Sequence, residues 1–491
     1  MGGDVMESRR WFLKATGGGG AAVALAGGGF LVGQRAGGTT EVPVPGGLPF
    51  TFGVRGFRCV LDVPDAMRPW RGRVAGREDA GLHDGDGVRM FRWQGRLHDH
   101  PVGQIQYGLE NLAALRRTGD PFFLARARTQ ADRVVARRHE RRGAWFFPYP
   151  FDFTHDVHTG IAYEAPWYSG MAQGEALSLF AQLAQVAEVP AADRARYRRA
   201  ADGAFRSLLV GDDGAPWVVA RDEAGHLWIH EYPVDPPGTS DHTYNGFMFA
   251  ALGLWDYYAL TRNPLAADLF DGSLTTLAAN FRNMRNPGWL SHYCRAHAIP
   301  TTSYHPVHVT LLRQLSWLSG SELLAAQSDL LMDDYPAPSL GKDGGQVHLA
   351  EGTHALLRFD DDGAVTDTRT LELARPAEAT ASHRIRVRGH DVHYLLTDGP
   401  GDGWYVAERY PSAYLRGEWC ASDYRPARRA RVPAGVSVVC RGDGEERTVT
   451  YPRDTPVRYD RRAVVDGRVM LRATDGDVRG WWLPGSQLRA G

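Results

Sequence analysis

Residues 293–315 read YCRAHAIPTTSYHPVHVTLLRQL, with two tyrosines, an arginine and three histidines crowded just ahead of an apolar helix. Pro300 and Pro306 interrupt the pattern, so Tyr293, Arg295, His297, Tyr304, His305 and His308 are expected in an irregular loop, with a helix from Val307 to Leu318 packing that loop on a core. Side chains that move protons here stand beside side chains that hold an acid, and loops on rigid scaffolds are where chemistry collects. Taken alone, the loop fits core aromatics and hydrogen-bonded histidines equally well, because it has no metal-ligand spacing.

Working outward, apolar residues recur at three and four from Pro101 to about Asp334. One helix is expected around Ile105, Leu109, Leu112 and Leu115, and another around Leu124, Ala127, Ala131, Val134 and Val135. Further helices fit Ala172 to Val186, Ala191 to Leu209, Tyr244 to Leu260, Pro264 to Phe281 and Glu322 to Met332. Aromatic hairpin-like inserts lie between them, at Gly143 to Tyr149 and Gly225 to Pro233. The expected architecture is multidomain α + β: an (α/α) toroid of antiparallel helix pairs over residues 101–335, with its loops gathered over a cleft. A linker and short β-rich segment precede it over 36–100, with strands expected near Phe50 to Phe52 and Phe57 to Val63.

After Tyr335-Pro336-Ala337-Pro338 the helical period stops, and short strand-like runs at Val347, Ala355, Val392 and Val436 alternate with Gly and Asp turns over residues 340–491. Within this region Val392 to Gly399, ahead of Gly403-Trp404-Tyr405-Val406, is echoed about 77 residues later by Val469 to Gly476 ahead of Gly480-Trp481-Trp482-Leu483. Two small related β-barrels are expected. Their aromatics fit attachment to a cell surface or polysaccharide as well as they fit simple core packing.

At 491 residues and 43% hydrophobic content the chain can bury more than one core. Its 56 basic residues balance 57 acidic ones, which argues against nucleic acid or an anionic membrane recognised by bulk charge. Ser8-Arg9-Arg10-Trp11-Phe12-Leu13-Lys14 ahead of a Gly/Ala-rich run to Gly33 looks like a twin-arginine signal or retained anchor over 1–35, so the product is expected to be secreted or held on the outer face of the cytoplasmic membrane. Four cysteines do not build a disulfide scaffold at this length, although Cys420 and Cys440 could pair outside the cytoplasm.

Three stretches carry candidate chemistry. In Ala165 to Glu175, small residues allow close approach to a ligand, and Trp167 offers a face to a sugar. Glu231-Tyr232-Pro233 is followed by Asn245-Gly246-Phe247-Met248-Phe249 at a helix start, and the 293–315 stretch completes the set. Together these resemble the D-glucuronyl C5-epimerase family, which inverts C5 of glucuronate units in heparosan-type polymers. Its W-Y-S-A/G-M-A-Q-G is matched by Trp167 to Gly174, its E-Y-P by Glu231 to Pro233, its N-G-F-M-Y/F by Asn245 to Phe249 and its Y-H-x-x-H by Tyr304, His305 and His308. An earlier family motif is partly matched by Pro101 to Leu109.

The resemblance implies a toroid that carries the active site. It implies that Glu231, Tyr232 and Tyr304 are catalytic, with Tyr293 as a third active-site tyrosine, and that Trp167, Tyr168, Gln173 and Asn245 meet a uronate-containing polysaccharide. C5 inversion removes a proton α to a carboxylate and returns one to the other face, so acid-base groups must flank the ring. Arg295 and His297, supported by His305, are the residues expected to meet the carboxylate and its growing enediolate charge. No metal and no redox cofactor is expected, since no G-x-G-x-x-G follows a strand. The gap from Tyr293 to Tyr304 is shorter than the family's, and Thr301-Thr302-Ser303 stand where an arginine precedes its second tyrosine, which leaves the polymer open. A lyase using the same toroid and enediolate, a glycoside hydrolase, and an exported binding protein without chemistry are the alternative readings.

Overall fold

The computed structural model describes residues 40–42, 50–155, 160–442 and 444–490; the paired arginines and the apolar run after them lie outside these residues. The chain divides into two compact units, 34–331 and 332–491. Among the described residues there are eight α-helices: α1 Pro101–Thr118, α2 Pro121–Ala136, α3 Gly170–Leu183, α4 Ala191–Ser207, α5 Tyr244–Thr261, α6 Pro264–Met284, α7 His305–Ser319 and α8 Glu322–Asp334. Together with several antiparallel sheets they make a mixed α plus β protein.

Local chemistry sets the helix ends. Three helices open with a capping side chain followed by proline: His100 accepts from Gly103 N–H ahead of Pro101, Asp120 from Phe122 N–H ahead of Pro121, and Asn263 from Leu265 N–H ahead of Pro264. The odd-numbered helices α1, α3, α5 and α7 are successive neighbours, and α2, α4 and α6 each pack on the helix before them. α3 is buried along its whole length and α5 from Tyr244 to Leu254 save Phe249, the mark of helices with partners on all sides. Where these two cross, their backbones nearly touch. A Cβ on Gly174 would lie 2.2 Å from Ala250 Cα, and one on Gly253 would lie 1.8 Å from the Gly174 carbonyl oxygen. The small residues after Trp167 therefore admit a neighbouring helix, which corrects the expectation that they admit a ligand.

Short antiparallel hairpins fill the connections, among them Met90–Trp93 with Arg96–Asp99, His139–Arg141 with Ala144–Phe146, and Val219–Arg221 with Leu227–Ile229. The segment from Phe57 to Val63 is not a strand. Its Val60 N–H donates to the Leu318 carbonyl and its Val60 carbonyl accepts from the Trp255 indole, so helices satisfy the backbone groups that a sheet would have used. α7 begins at His305, two residues earlier than the period indicated, which puts His305 in its first turn.

In the unit 332–491, two seven-stranded sheets follow one plan. The first runs Val365–Leu373, Gly352–Phe359, Tyr405–Ala407, Val392–Leu396, Ala377–Arg386, Gly345–Leu349, Ala413–Leu415; the second runs Glu445–Tyr451, Val436–Gly442, Trp482–Pro484, Arg468–Ala473, Thr455–Val465, Glu418–Val432, Arg489–Ala490. Numbered along the chain within each sheet, both orders are third, second, sixth, fifth, fourth, first, seventh. The tryptophan turn repeats bond for bond: Leu396 N–H donates to Trp404 O and Gly403 N–H to Leu396 O in one, Ala473 N–H to Trp481 O and Gly480 N–H to Ala473 O in the other. Cys420 and Cys440 are both free thiols, Cys440 within the core, so the pairing considered from their spacing is not formed. No helix among the described residues is long and apolar enough to cross a membrane.

Candidate active site

The buried hairpin strand Leu227–Ile229 delivers His230, whose backbone N–H donates to Val218 O and whose carbonyl accepts from Gly170 N–H at 2.7 Å as α3 begins. The next residue, Glu231, is thereby pinned. Its side chain is 6% exposed, and its Oε2 accepts from Asn245 Nδ2 at 3.1 Å. The Gly246 backbone N–H and the Tyr232 hydroxyl also donate to this carboxylate. Glu231 thus sits on the N-terminal turn of α5, where free N–H groups and the helix dipole favour an anion. A Cβ at position 246 would lie 2.2 Å from Glu231 Oε2, so glycine is required there. Asn245-Gly246 holds Glu231 by one side chain that donates and one that is missing.

Burial, followed by the nearby Asp241 carboxylate, pushes Glu231 up to about 8 despite those three donors. Asp241 is itself buried and accepts from Thr243 Oγ1 at 2.7 Å. Glu231 can therefore take or give a proton near neutral pH. The phenols beside it cannot ionise alone: burial, followed by the Glu231 charge, drives Tyr232 and Tyr293 well above the usual phenol range.

Tyr293 is reached through the 291–304 loop, which is tied to the start of α5 by Tyr244 N–H donating to Tyr293 O at 3.1 Å. The Tyr293 hydroxyl donates to Tyr232, and His155 Nε2 lies 3.4 Å from it. Tyr304, half-buried at the cap of α7, has its ring centroid 5.1 Å from that of Tyr293. A run of donors thus leads from His155 through Tyr293 and Tyr232 to Glu231, with Tyr304 at its side.

A cavity of about 110 Å³ opens beside this run, lined by Glu231, Tyr232, Trp167, Tyr149, Phe153 and His100 among others. Trp167 stacks on Tyr149 at 3.8 Å and 13°, and its indole donates to the Phe151 carbonyl at 3.0 Å, so its face is fixed. Tyr163, 5.7 Å from Tyr232 between centroids, has a buried hydroxyl with no hydrogen-bond partner among the described residues.

The structure therefore brings together Glu231, Tyr232, Tyr293, Tyr304, Trp167 and Asn245. Five other expected residues are held elsewhere. Tyr168 turns to His139, its hydroxyl 2.7 Å from Nδ1. Gln173 is fully buried and spent on the 139–147 hairpin and α4: it accepts from Phe147 N–H and donates to Trp145 O and Ser207 Oγ. Arg295 forms an ion pair with Asp222 at 2.8 Å, so its charge is already met. His297 is exposed, with Nδ1 3.2 Å from Cys294 Sγ. His305 is buried and accepts from Ser291 N–H at 2.9 Å, bracing the loop. In turn, sequence reasoning missed His155, Tyr163 and Asp241. Asp241 stands four residues ahead of the N-G-F-M stretch, but His155 follows and Tyr163 ends the paired two-residue strands Phe153–Thr154 and Ala162–Tyr163, too short for a pattern to mark them.

Residues 141–329 match the family model described as D-glucuronyl C5-epimerase C-terminus. The likeness to that family is carried by this segment. Glu231, Tyr232, Tyr293 and Tyr304 all fall within the match, whereas Pro101 to Leu109 lies outside it. A D-glucuronyl C5-epimerase of Caenorhabditis elegans is 24% identical over 221 residues, 40% of this chain, and the chain spans 33% of that relative's length. A crystal structure of D-mannose isomerase aligns with a TM-score of 0.33 and 11% identity over 51% of this chain and 63% of its own.

Proposed function

We propose that this protein inverts C5 of D-glucuronate units to L-iduronate within a polysaccharide. The observation that carries the reading is that Tyr232 bonds to a buried carboxylate, Glu231, beside an aromatic cavity, with Tyr293 next to Tyr232 and Tyr304 next to Tyr293. As the C5–H bond breaks, its proton goes to the Tyr232 oxygen, the Tyr232 proton passes to Glu231, and the bonding electrons move into the sugar carboxylate as an enediolate. No free phenolate forms in this step. Tyr304 then protonates C5 from the opposite face, and the proton stored on Glu231 returns through Tyr232 and Tyr293 to restore Tyr304.

Trp167 and Tyr149 present the apolar wall for the sugar, and Tyr163 has a hydroxyl available to the enediolate oxygens. Arg295, His297, Tyr168 and Gln173 take no part in these steps. The alternation of neighbouring odd helices with outlying even ones supports reading the helical unit as an (α/α) toroid, and the repeated strand order supports reading the two sheets as small related barrels. Export by the twin-arginine route belongs to the same proposal. The test is disaccharide analysis of a glucuronate polymer after incubation: iduronate in an uncut chain supports epimerisation, and unsaturated fragments would establish a lyase instead. Tyr304→Phe should abolish iduronate formation while polymer binding persists.

A further inference from the structure

From the cavity an aromatic row leads outward to the hairpin Met90–Trp93/Arg96–Asp99. Phe91 lines the cavity and stacks with Trp93 at 6.2 Å and 16°. Trp93 meets Phe153 at 5.2 Å, and Phe153 in turn stacks with Trp167 at 5.6 Å and with Tyr232 at 6.3 Å. The hairpin is tight: Gln94 and Gly95 both have positive φ, 46° and 80°, as a two-residue turn between twisted strands requires. Its register pairs Phe91 with His98 and Trp93 with Arg96, which puts these four side chains on the face carrying the row. Arg92 and Leu97 occupy the other face.

Among the described residues, Arg96 is exposed and makes no ion pair or side-chain hydrogen bond, and the Trp93 indole N–H is buried without an acceptor. A free guanidinium, an unused donor and an aromatic surface thus stand together, continuous with the wall of the cavity. We infer that the hairpin face bearing Trp93 and Arg96 is an outer subsite for the polysaccharide, with Trp93 against a neighbouring sugar ring and Arg96 on the carboxylate of a flanking uronate. This inference rests on the uronate reading of the cavity and assigns the direction in which the polymer leaves it. A uronate chain carries its charges at intervals, so one cation beyond the reacting ring selects polymer over a single uronate. Arg92 offers an internal control, since it is also exposed and has no ion pair among the described residues but faces away.

The experiment compares wild type, Arg96→Ala and Arg92→Ala for binding of two glucuronate oligosaccharides, one with a single uronate and one with three, followed by tryptophan fluorescence. Arg96→Ala should weaken the longer ligand about three- to tenfold, with a salt-sensitive difference, and leave the shorter one unchanged. Arg92→Ala should change neither. For turnover of polymer, Arg96→Ala should raise KM and leave kcat as it is. Equal effects of the two substitutions, equal loss for both ligands, or no binding of the longer ligand would overturn the subsite. Binding that depends on Arg96 without any exchange at C5 would sink the epimerase reading and keep the subsite; exchange that is indifferent to Arg96 would do the reverse.

Discussion

Glu231 shows how surroundings change what a single residue can do with a proton. An exposed glutamate is ionised at neutral pH, but here burial and Asp241 lift it to about 8, while Asn245 and the α5 N-terminus keep it from rising further. Glu231→Gln should lower C5 proton exchange by about 10²- to 10⁴-fold, the usual worth of a positioned acid-base group, with little change in polymer binding. Wild-type activity should climb as pH rises through about 8, because the proton acceptor must be ionised, and the residual activity of the variant should lack that limb. Stability runs the other way. The folded protein holds this proton where the unfolded chain has lost it, so the contribution is present below the ordinary carboxylate range near 4.5 and is lost as pH approaches 8. Melting temperatures of wild type and Glu231→Gln measured from pH 5 to 9 should therefore diverge in favour of the variant at the alkaline end; parallel curves would mean that Glu231 titrates normally. That Glu231, Tyr232, Tyr293 and Tyr304 belong together could be named from motif likeness, yet that Arg295 and Gln173 are engaged elsewhere could not be foreseen that way. A sequence shows that a cation or an amide is available, but only three dimensions show that Asp222 and the 139–147 hairpin have already claimed them.

At the scale of elements, the helices were legible because α1, α2 and α6 open with a capping side chain and proline and their apolar positions keep the helical period. The run at Phe57 to Val63 misled because an apolar stretch whose backbone groups are met by Leu318 and Trp255 looks the same in sequence as one met by a strand. The close crossing of α3 and α5 carries the site, since one helix opens beside the His230 carbonyl and the other supplies Asn245 and Gly246. Gly174→Val would force the two backbones apart, at a cost of about 1–3 kcal/mol or more for overpacking a filled core. The expected outcome is a lowered melting temperature together with a disproportionate loss of turnover in whatever protein still folds; a variant as stable and active as wild type would show that the crossing is looser than described.

For the whole molecule, the repeat in the β region was visible only as two tryptophan turns about 77 residues apart, yet it extends to an identical strand order over seven strands. The rest was hidden because the matching strands differ in length, such as Gly345–Leu349 against Glu418–Val432, and share little beyond alternation. Glu231, the three tyrosines and the cavity lie wholly within the unit 34–331. A chain ending after Asp334 should therefore still exchange C5 protons on a short oligosaccharide, measured per folded molecule; complete loss of exchange in a folded product would assign the β unit a part in the chemistry. The central claim is that Glu231 and the tyrosines move a proton off C5 and put one back without cutting the polymer. Its most direct test is NMR of a glucuronate polysaccharide incubated with the protein in deuterated water: the account predicts deuterium at C5 and iduronate units in a chain of unchanged length, both lost in Glu231→Gln, whereas unlabelled C5 or chain scission would contradict it.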